Sequence, residues 1–205
     1  MAVRAVFFDV GETLVDERRY WREVAGLVGV PEHVIWAALG VTIERGEDHT
    51  ALFRHLGIER PAEVDDVVVY DTTDLYPDAL SCLEAVRAAG YRVGMAGNQS
   101  SVLEAWARAA GLPVDVIGSS AGWGVRKPSS AFFERLVAEA GFQADEVAYV
   151  GDRLDNDVEP AAACGLVAVW IRRGPWGWLQ RGGDRAALRI DSLSELLGAL
   201  SQLPR

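Results

Sequence analysis

Acidic, basic and glycine residues gather directly behind apolar runs at three places, and a basic pair stands before a helix at a fourth. They are Asp9-Val10-Gly11-Glu12-Thr13, Gly97-Asn98-Gln99-Ser100, Gly151-Asp152-Arg153-Leu154-Asp155-Asn156-Asp157, and Val125-Arg126-Lys127-Pro128. Carboxylates brought face to face repel unless a cation lies between them. Hard oxygen donors favour Mg2+, which usually takes one or two carboxylates, waters and a substrate phosphate. Of the 20 cationic residues, nineteen are Arg and one is Lys127. Arg and Lys are not interchangeable where a compact point charge is needed, so Lys127 stands out.

These residues can act together only if the chain carries them to one place. In an open parallel sheet, ligands bind beyond the carboxyl ends of the strands. Val3, Ala5, Val6, Phe7, Phe8 and Val10 make a nearly continuous apolar run that stops at Asp9–Gly11, the pattern of a strand buried on both faces. Similar runs occupy 91–96, 114–117, 147–150 and 166–171. Helical patterns separate them at 78–89, 100–110, 129–140 and 156–164, each closed by a glycine, and a last one covers 192–200. Alternation at this spacing predicts an α/β fold with a doubly wound, parallel, five-stranded sheet. Residues 16–73 break the alternation. Helical patterns at 20–28, 31–39 and 49–56 predict a small helical insert after the first strand, which leaves 1–15 and 74–205 as the α/β core. The segment 172–185, rich in Gly, Pro, Trp and Arg, reads as a loop.

Four pieces in this order resemble the motifs of the haloacid dehalogenase superfamily. The matching segments are FFDVGETLVD (7–16), VGMAGNQS (93–100), GVRKPSSAFF (124–133) and VGDRLDNDVEPAAACGL (150–166). The resemblance spans the core from Phe7 to about Ile171, and its second segment fits least well. It implies a Rossmann-like core with a helical cap and a Mg2+-dependent phosphatase acting on a small phosphorylated metabolite. Asp9 would attack phosphorus and form an aspartyl-phosphate, two easier steps replacing one hard one. The metal ligands implied are Asp9, the backbone carbonyl of Gly11, Asp152 and, directly or through water, Asp157. Asn156 would help to hold their loop. Lys127 would neutralise the nucleophile and the phosphoryl oxygens, and the amides around Gly97 and Asn98 would receive phosphate.

The chain departs from the pattern twice. Family phosphatases carry a second Asp two residues after the nucleophile, which protonates the leaving group and then activates water; here that position is Gly11. Losing a general acid/base typically costs ~10²–10⁴ in rate. Glu12 is adjacent, but neighbours in an extended segment point to opposite sides. Gly97 stands where Ser or Thr is usual, so one hydroxyl to phosphate is missing, a bond worth ~1.5–3 kcal/mol; Asn98, Ser100 or a water would be the replacements. The alternative function is a catalytically weak or inert relative that binds Mg2+ and a phosphorylated ligand or a protein partner. Dehalogenases also lack the second Asp, yet they need no metal, whereas this chain keeps Gly151-Asp152. A phosphorylation receiver is disfavoured by the motif order and by the long insert.

The remaining features have plainer readings. The net charge of −10 argues against nucleic acid and anionic lipid as partners, and no run approaches the ~18–20 apolar residues of a membrane span. Cys82 and Cys164 are too far apart for a metal knuckle and read as buried small hydrophobes. With no cleavable leader pattern at the N-terminus, the expectation is a cytoplasmic protein, a monomer or homodimer. His33, His49 and His55 lack metal-ligand spacing, and Asp155 reads as a solvated loop or cap residue. Trp123, Trp170, Trp176 and Trp178 read as packing residues, with lining of the site mouth as the sharper alternative. Arg172 and Arg173 read as solvated loop cations.

Overall fold

The run that opens the chain is the middle of a sheet. The computed structural model describes residues 2–67 and 70–203, the side chains of 65 and 66 excepted. Strand β1 (Ala5–Phe8) is buried throughout and pairs in parallel with β2 (Arg92–Gly97) on one side and β4 (Val147–Gly151) on the other. Strand β3 (Val116–Ser119) extends the sheet beyond β2, and β5 (Val167–Ile171) and β6 (Leu188–Ile190) extend it beyond β4, giving the order β3-β2-β1-β4-β5-β6. Among the described residues the sheet thus has six strands where the sequence predicts five. Strand β6 has only three residues, too few for an apolar run, and is defined by its pairing with β5.

Alternate residues of β1 feed opposite layers, as a strand's period of two requires. Val6 and Phe8 join an apolar cluster with Leu83 and Val86 of α4 (Ala79–Ala88), Leu103 of α5 (Ser101–Ala109) and Leu196 of α10 (Leu196–Leu200). Ala5 and Phe7 join a second cluster on the other face, with Phe132, Phe133 and Leu136 of α7 (Ser130–Ala140) and Ala161 of α8 (Glu159–Ala163). Both faces are therefore covered, which explains why the strands read as continuous apolar runs. Between β3 and α7 lies the single turn α6 (Ser120–Trp123). Ser129 accepts a hydrogen bond from the Ala131 amide at 3.3 Å at the start of α7, and Gly141, at φ +73°, ends it in the left-handed conformation.

Between β1 and α4 come α1 (Arg18–Val28), α2 (Glu32–Glu44) and α3 (Ala51–His55), close to the predicted helices. The predicted insert includes 68–69, outside the described residues. Trp21, Ile35, Leu39, Leu52 and Phe53 form a third apolar cluster, and Trp176 completes it. Trp176 belongs to α9 (Gly174–Leu179), within the segment read from sequence as a loop. Pro175 sits in the first turn of α9, where its missing N–H costs nothing, and Trp176 and Gly177 are buried. Among the described residues, no single helix is long and apolar enough to cross a membrane.

Candidate active site

The sheet's geometry brings the predicted residues together. The Asp9 amide donates to the Val150 carbonyl at 2.8 Å, extending the β1–β4 ladder by one residue, so Asp9 leaves the sheet beside Gly151-Asp152. Carboxylate oxygens of Asp9, Asp152 and Asp157 all lie within 4.8 Å of one another, and all three residues are buried. Lys127 arrives from the loop before α7. Its Nζ is 2.7 Å from Asp9 Oδ1 and 2.5 Å from Asp157 Oδ1, with the side chain 1% exposed. The same ammonium lies 5.5 Å from the Tyr149 ring centroid.

Four further hydrogen bonds fix these groups. The Asn98 side chain donates to the Lys127 carbonyl at 2.9 Å and accepts from the Lys127 amide at 2.8 Å, clamping the backbone that carries the lysine. The Trp170 indole N–H donates to the Asp152 carbonyl at 2.9 Å. Asp157 Oδ2 accepts from the Arg153 amide at 3.0 Å. Gly151 is required here, since a Cβ would meet the Asp157 side chain at 2.5 Å. Asn156 lines the same cavity as Asp9 and Lys127.

Electrostatics sets the demand for a cation. Burial opposes the charge on Lys127, but the carboxylates of Asp157 and Asp9 outweigh it and hold the ammonium above its ordinary pKa. Burial pushes Asp152 well above the usual carboxylate range, and the charges of Asp157 and Asp9 push it further. With all three carboxyls ionised, three carboxylates against one ammonium would leave two negative charges. Like charges about 4–5 Å apart repel by roughly 3–4 kcal/mol at an effective dielectric constant near 20. A hard divalent cation would offset that charge, and the all-oxygen donor set suits Mg2+. Among the described residues, His33, His49 and His55 enter no such group; His55 instead lies 2.5 Å from Glu47.

Gly11 opens a tight turn in which the Glu12 amide donates to the Val15 carbonyl and Glu12 adopts φ +51°. The extended alternation expected at Glu12 does not apply, since the residue is left-handed, and it lines the same cavity as Asp9. Its carboxylate accepts from the Tyr76 hydroxyl and, at 3.3 Å, from the Glu17 amide, and packs against Gly174. Burial raises the Glu12 carboxyl to about 7 against the opposing Tyr76 hydrogen bond. Sequence reasoning missed Glu17. A Cβ built on Gly11 would fall onto Glu17 Oε1 and 2.9 Å from its Cδ. Burial, then the charges of Glu12 and Asp9, raise the Glu17 carboxyl to about 8.

At Gly97 a Cβ would lie 2.6 Å from Asp9 Oδ1, so the glycine makes room for the carboxylate as it stands. Ser100 Oγ is buried and lacks a hydrogen-bond partner among the described residues, and Ser100 lines the cavity above Asp9. That cavity holds about 1000 Å³ and extends under α1, where Tyr20 and Trp21 line it with Trp176. Of the four tryptophans considered from sequence, Trp176 lines it; Trp123 packs on Phe132, Trp170 is buried, and Trp178 is 65% exposed. Asp155 pairs with Arg153 at 2.7 Å and accepts from Gln180, a loop-holding role. Arg172 pairs with Asp191 at the surface. Arg173 is not a solvated cation: it donates to the Thr13 carbonyl at 2.9 Å and pairs with Asp78 at 2.5 Å, with its side chain 10% exposed.

Comparison with known proteins bears on the family and the fold. Residues 3–165 match the family described as haloacid dehalogenase-like hydrolase. A glyceraldehyde 3-phosphate phosphatase of Methanopyrus kandleri is 28% identical over 99% of this chain and 99% of its own length. A ribulose-1,5-bisphosphate 5-phosphatase of Halopiger xanaduensis is 30% identical over 74% of this chain and 70% of its own. The fold is shared with a HAD phosphatase from Thermococcus onnurineus at a TM-score of 0.63, with 24% identity and coverage of 96% of this chain and 99% of that one.

Proposed function

This chain belongs to the haloacid dehalogenase-like hydrolases, and on that premise we propose that it is a Mg2+-dependent phosphatase acting on a small phosphorylated metabolite. The observation that carries the reading is Lys127 Nζ bridging Asp9 and Asp157, with Asp152 in the same buried cluster. Asp9 Oδ attacks phosphorus and holds the phosphoryl group as an aspartyl-phosphate until water releases it. Lys127 offsets charge on the nucleophile and on the transferring oxygens. The carboxylates of Asp9, Asp152 and Asp157 and the Gly11 carbonyl would hold Mg2+. When bound, the ion would polarise the phosphoryl oxygens as a Lewis acid.

The backbone amides of Gly97 and Asn98 would receive phosphate oxygens. Asn98 also positions Lys127 through its side chain, so the hydroxyl absent at Gly97 would come from Ser100, whose buried oxygen lacks a partner among the described residues. Residues 16–73 would act as a cap that excludes water and selects substrate over a core of 1–15 and 74–205. Relatives named as phosphatases of a triose phosphate and a pentose bisphosphate support a substrate of that size. The chain would need neither nucleic acid nor membrane. Gly11 favours a second reading, an inert binder of Mg2+ and a phosphorylated ligand. Magnesium-dependent turnover of an aryl phosphate that Asp9→Asn abolishes is expected; equal rates for the two proteins would rule the phosphatase out.

A further inference from the structure

We propose that Glu17, at the start of α1, is the residue that donates and accepts the proton in the reaction at Asp9, doing from the insert what no side chain at position 11 can do. The inference rests on the phosphatase reading above. An alkoxide leaves phosphorus badly unless it is protonated as the P–O bond breaks, so an acid is needed beside the nucleophile. The Glu17 carboxyl overlies the space that a residue-11 side chain would fill, as the Cβ position at Gly11 shows. Glu17 lines the same cavity as Asp9, Lys127 and Asp152. Although it precedes the first residue of α1, its side chain makes no capping hydrogen bond and is left to the cavity.

Neighbouring groups hold it there. Glu12 accepts the Glu17 amide at 3.3 Å and is itself tied to Tyr76. One turn along α1, Trp21 brings its indole N–H toward the Glu17 carboxylate. That N–H is buried and has no hydrogen bond of normal geometry among the described residues. The other acids lining the cavity outside the metal cluster, Asp16, Glu23, Asp48, Asp74 and Asp155, each face a cationic or histidine neighbour within 4 Å. Glu12 lines the cavity too, but its carboxylate is taken up by the Tyr76 hydroxyl and the Glu17 amide. Glu17 is the carboxyl group placed for the work.

The proton balance closes. Asp9 Oδ bonds to phosphorus, the phosphorus–oxygen bond to the leaving group breaks, and its electron pair takes the proton from Glu17, releasing an alcohol. The Glu17 carboxylate then removes a proton from water whose oxygen attacks phosphorus. The Asp9–phosphorus bond breaks, hydrogen phosphate leaves, and Glu17 is again protonated.

The test uses the full chain with Mg2+, glycerol phosphate as an alkyl substrate and p-nitrophenyl phosphate as an aryl one. Glu17→Gln should lower kcat on the alkyl phosphate by ~10²–10⁴. With the aryl phosphate, whose leaving group needs no proton, it should release a burst of p-nitrophenolate stoichiometric with enzyme while phosphorylated Asp9 accumulates. A merely structural residue would produce no such burst. Glu17→Ala combined with Gly11→Asp should recover alkyl-phosphate turnover that Glu17→Ala alone lacks, which keeps the test decisive if Glu17→Gln folds poorly by circular dichroism. Turnover by folded Glu17→Gln within about threefold of the unaltered protein, or a double variant no better than Glu17→Ala, would overturn the proposal. If the unaltered protein and Asp9→Asn are equally inactive on both substrates, the phosphatase reading fails and this proposal falls with it.

Discussion

Replacing Lys127 by Met removes the one positive charge from a cluster of three buried carboxylates while keeping a side chain of similar length. Lys127 Nζ lies 2.7 Å from Asp9 and 2.5 Å from Asp157, and its side chain is 1% exposed. Breaking a buried ion pair by removing one partner typically costs ~3–5 kcal/mol, because the other charge is left desolvated. For a chain of this length each kcal/mol shifts Tm by about 2–4 °C, so Lys127→Met should melt roughly 6–20 °C lower in the presence of a chelator. The deficit depends on pH in a fixed direction. Without the ammonium, carboxylates whose folded pKa lies above the unfolded value bind extra protons in the folded state, so stability falls as pH rises through that window. Thermal unfolding at pH 5.5 and pH 8 should therefore show the larger deficit at pH 8, and Mg2+ should restore part of it. A shift below about 2 °C at pH 8, or a larger deficit at pH 5.5, would refute the charge accounting.

Other perturbations follow from the same geometry. Glu12 is 4% exposed with its carboxyl raised from 4.5 to about 7, so its contribution is full below the unfolded pKa and lost as pH climbs to about 7. Glu12→Gln, which resembles the protonated form, should therefore gain roughly 1–3 kcal/mol over the unaltered protein at pH 8 and little at pH 5, measured by urea unfolding. Asn98→Ala removes both hydrogen bonds that clamp the Lys127 backbone. It should cost ~1–3 kcal/mol in stability and lower kcat on an aryl phosphate, with far-UV circular dichroism unchanged.

How much of this was legible in the chain depends on how local the signal is. Asp9 and Asp152 stand directly behind buried strands, and Lys127 stands before a capped helix, so neighbouring residues announce their places. The charge and spacing of Asp157 relative to Asp152 did the same. Strand β6 and helix α9 were missed because tertiary contacts make them: Leu188–Ile190 is a strand through its ladder with β5, and Trp176 is buried in a cluster with residues of α1, α2 and α3. Arg173 reads as a loop cation until Asp78, distant in sequence, is brought beside it. Glu17 belongs to no motif. Its approach to Gly11 depends on the left-handed Glu12 and the turn closed at Val15, which no residue type in that stretch announces.

The most direct test of Asp9 as phosphoryl acceptor is to quench the protein in acid during turnover with Mg2+ and a radiolabelled phosphomonoester, then map the labelled peptide. The account predicts an acid-stable, base-labile acyl phosphate on the N-terminal peptide at Asp9, absent from Asp9→Asn and without Mg2+. Label on any other residue, or multiple turnovers by Asp9→Asn, would contradict it.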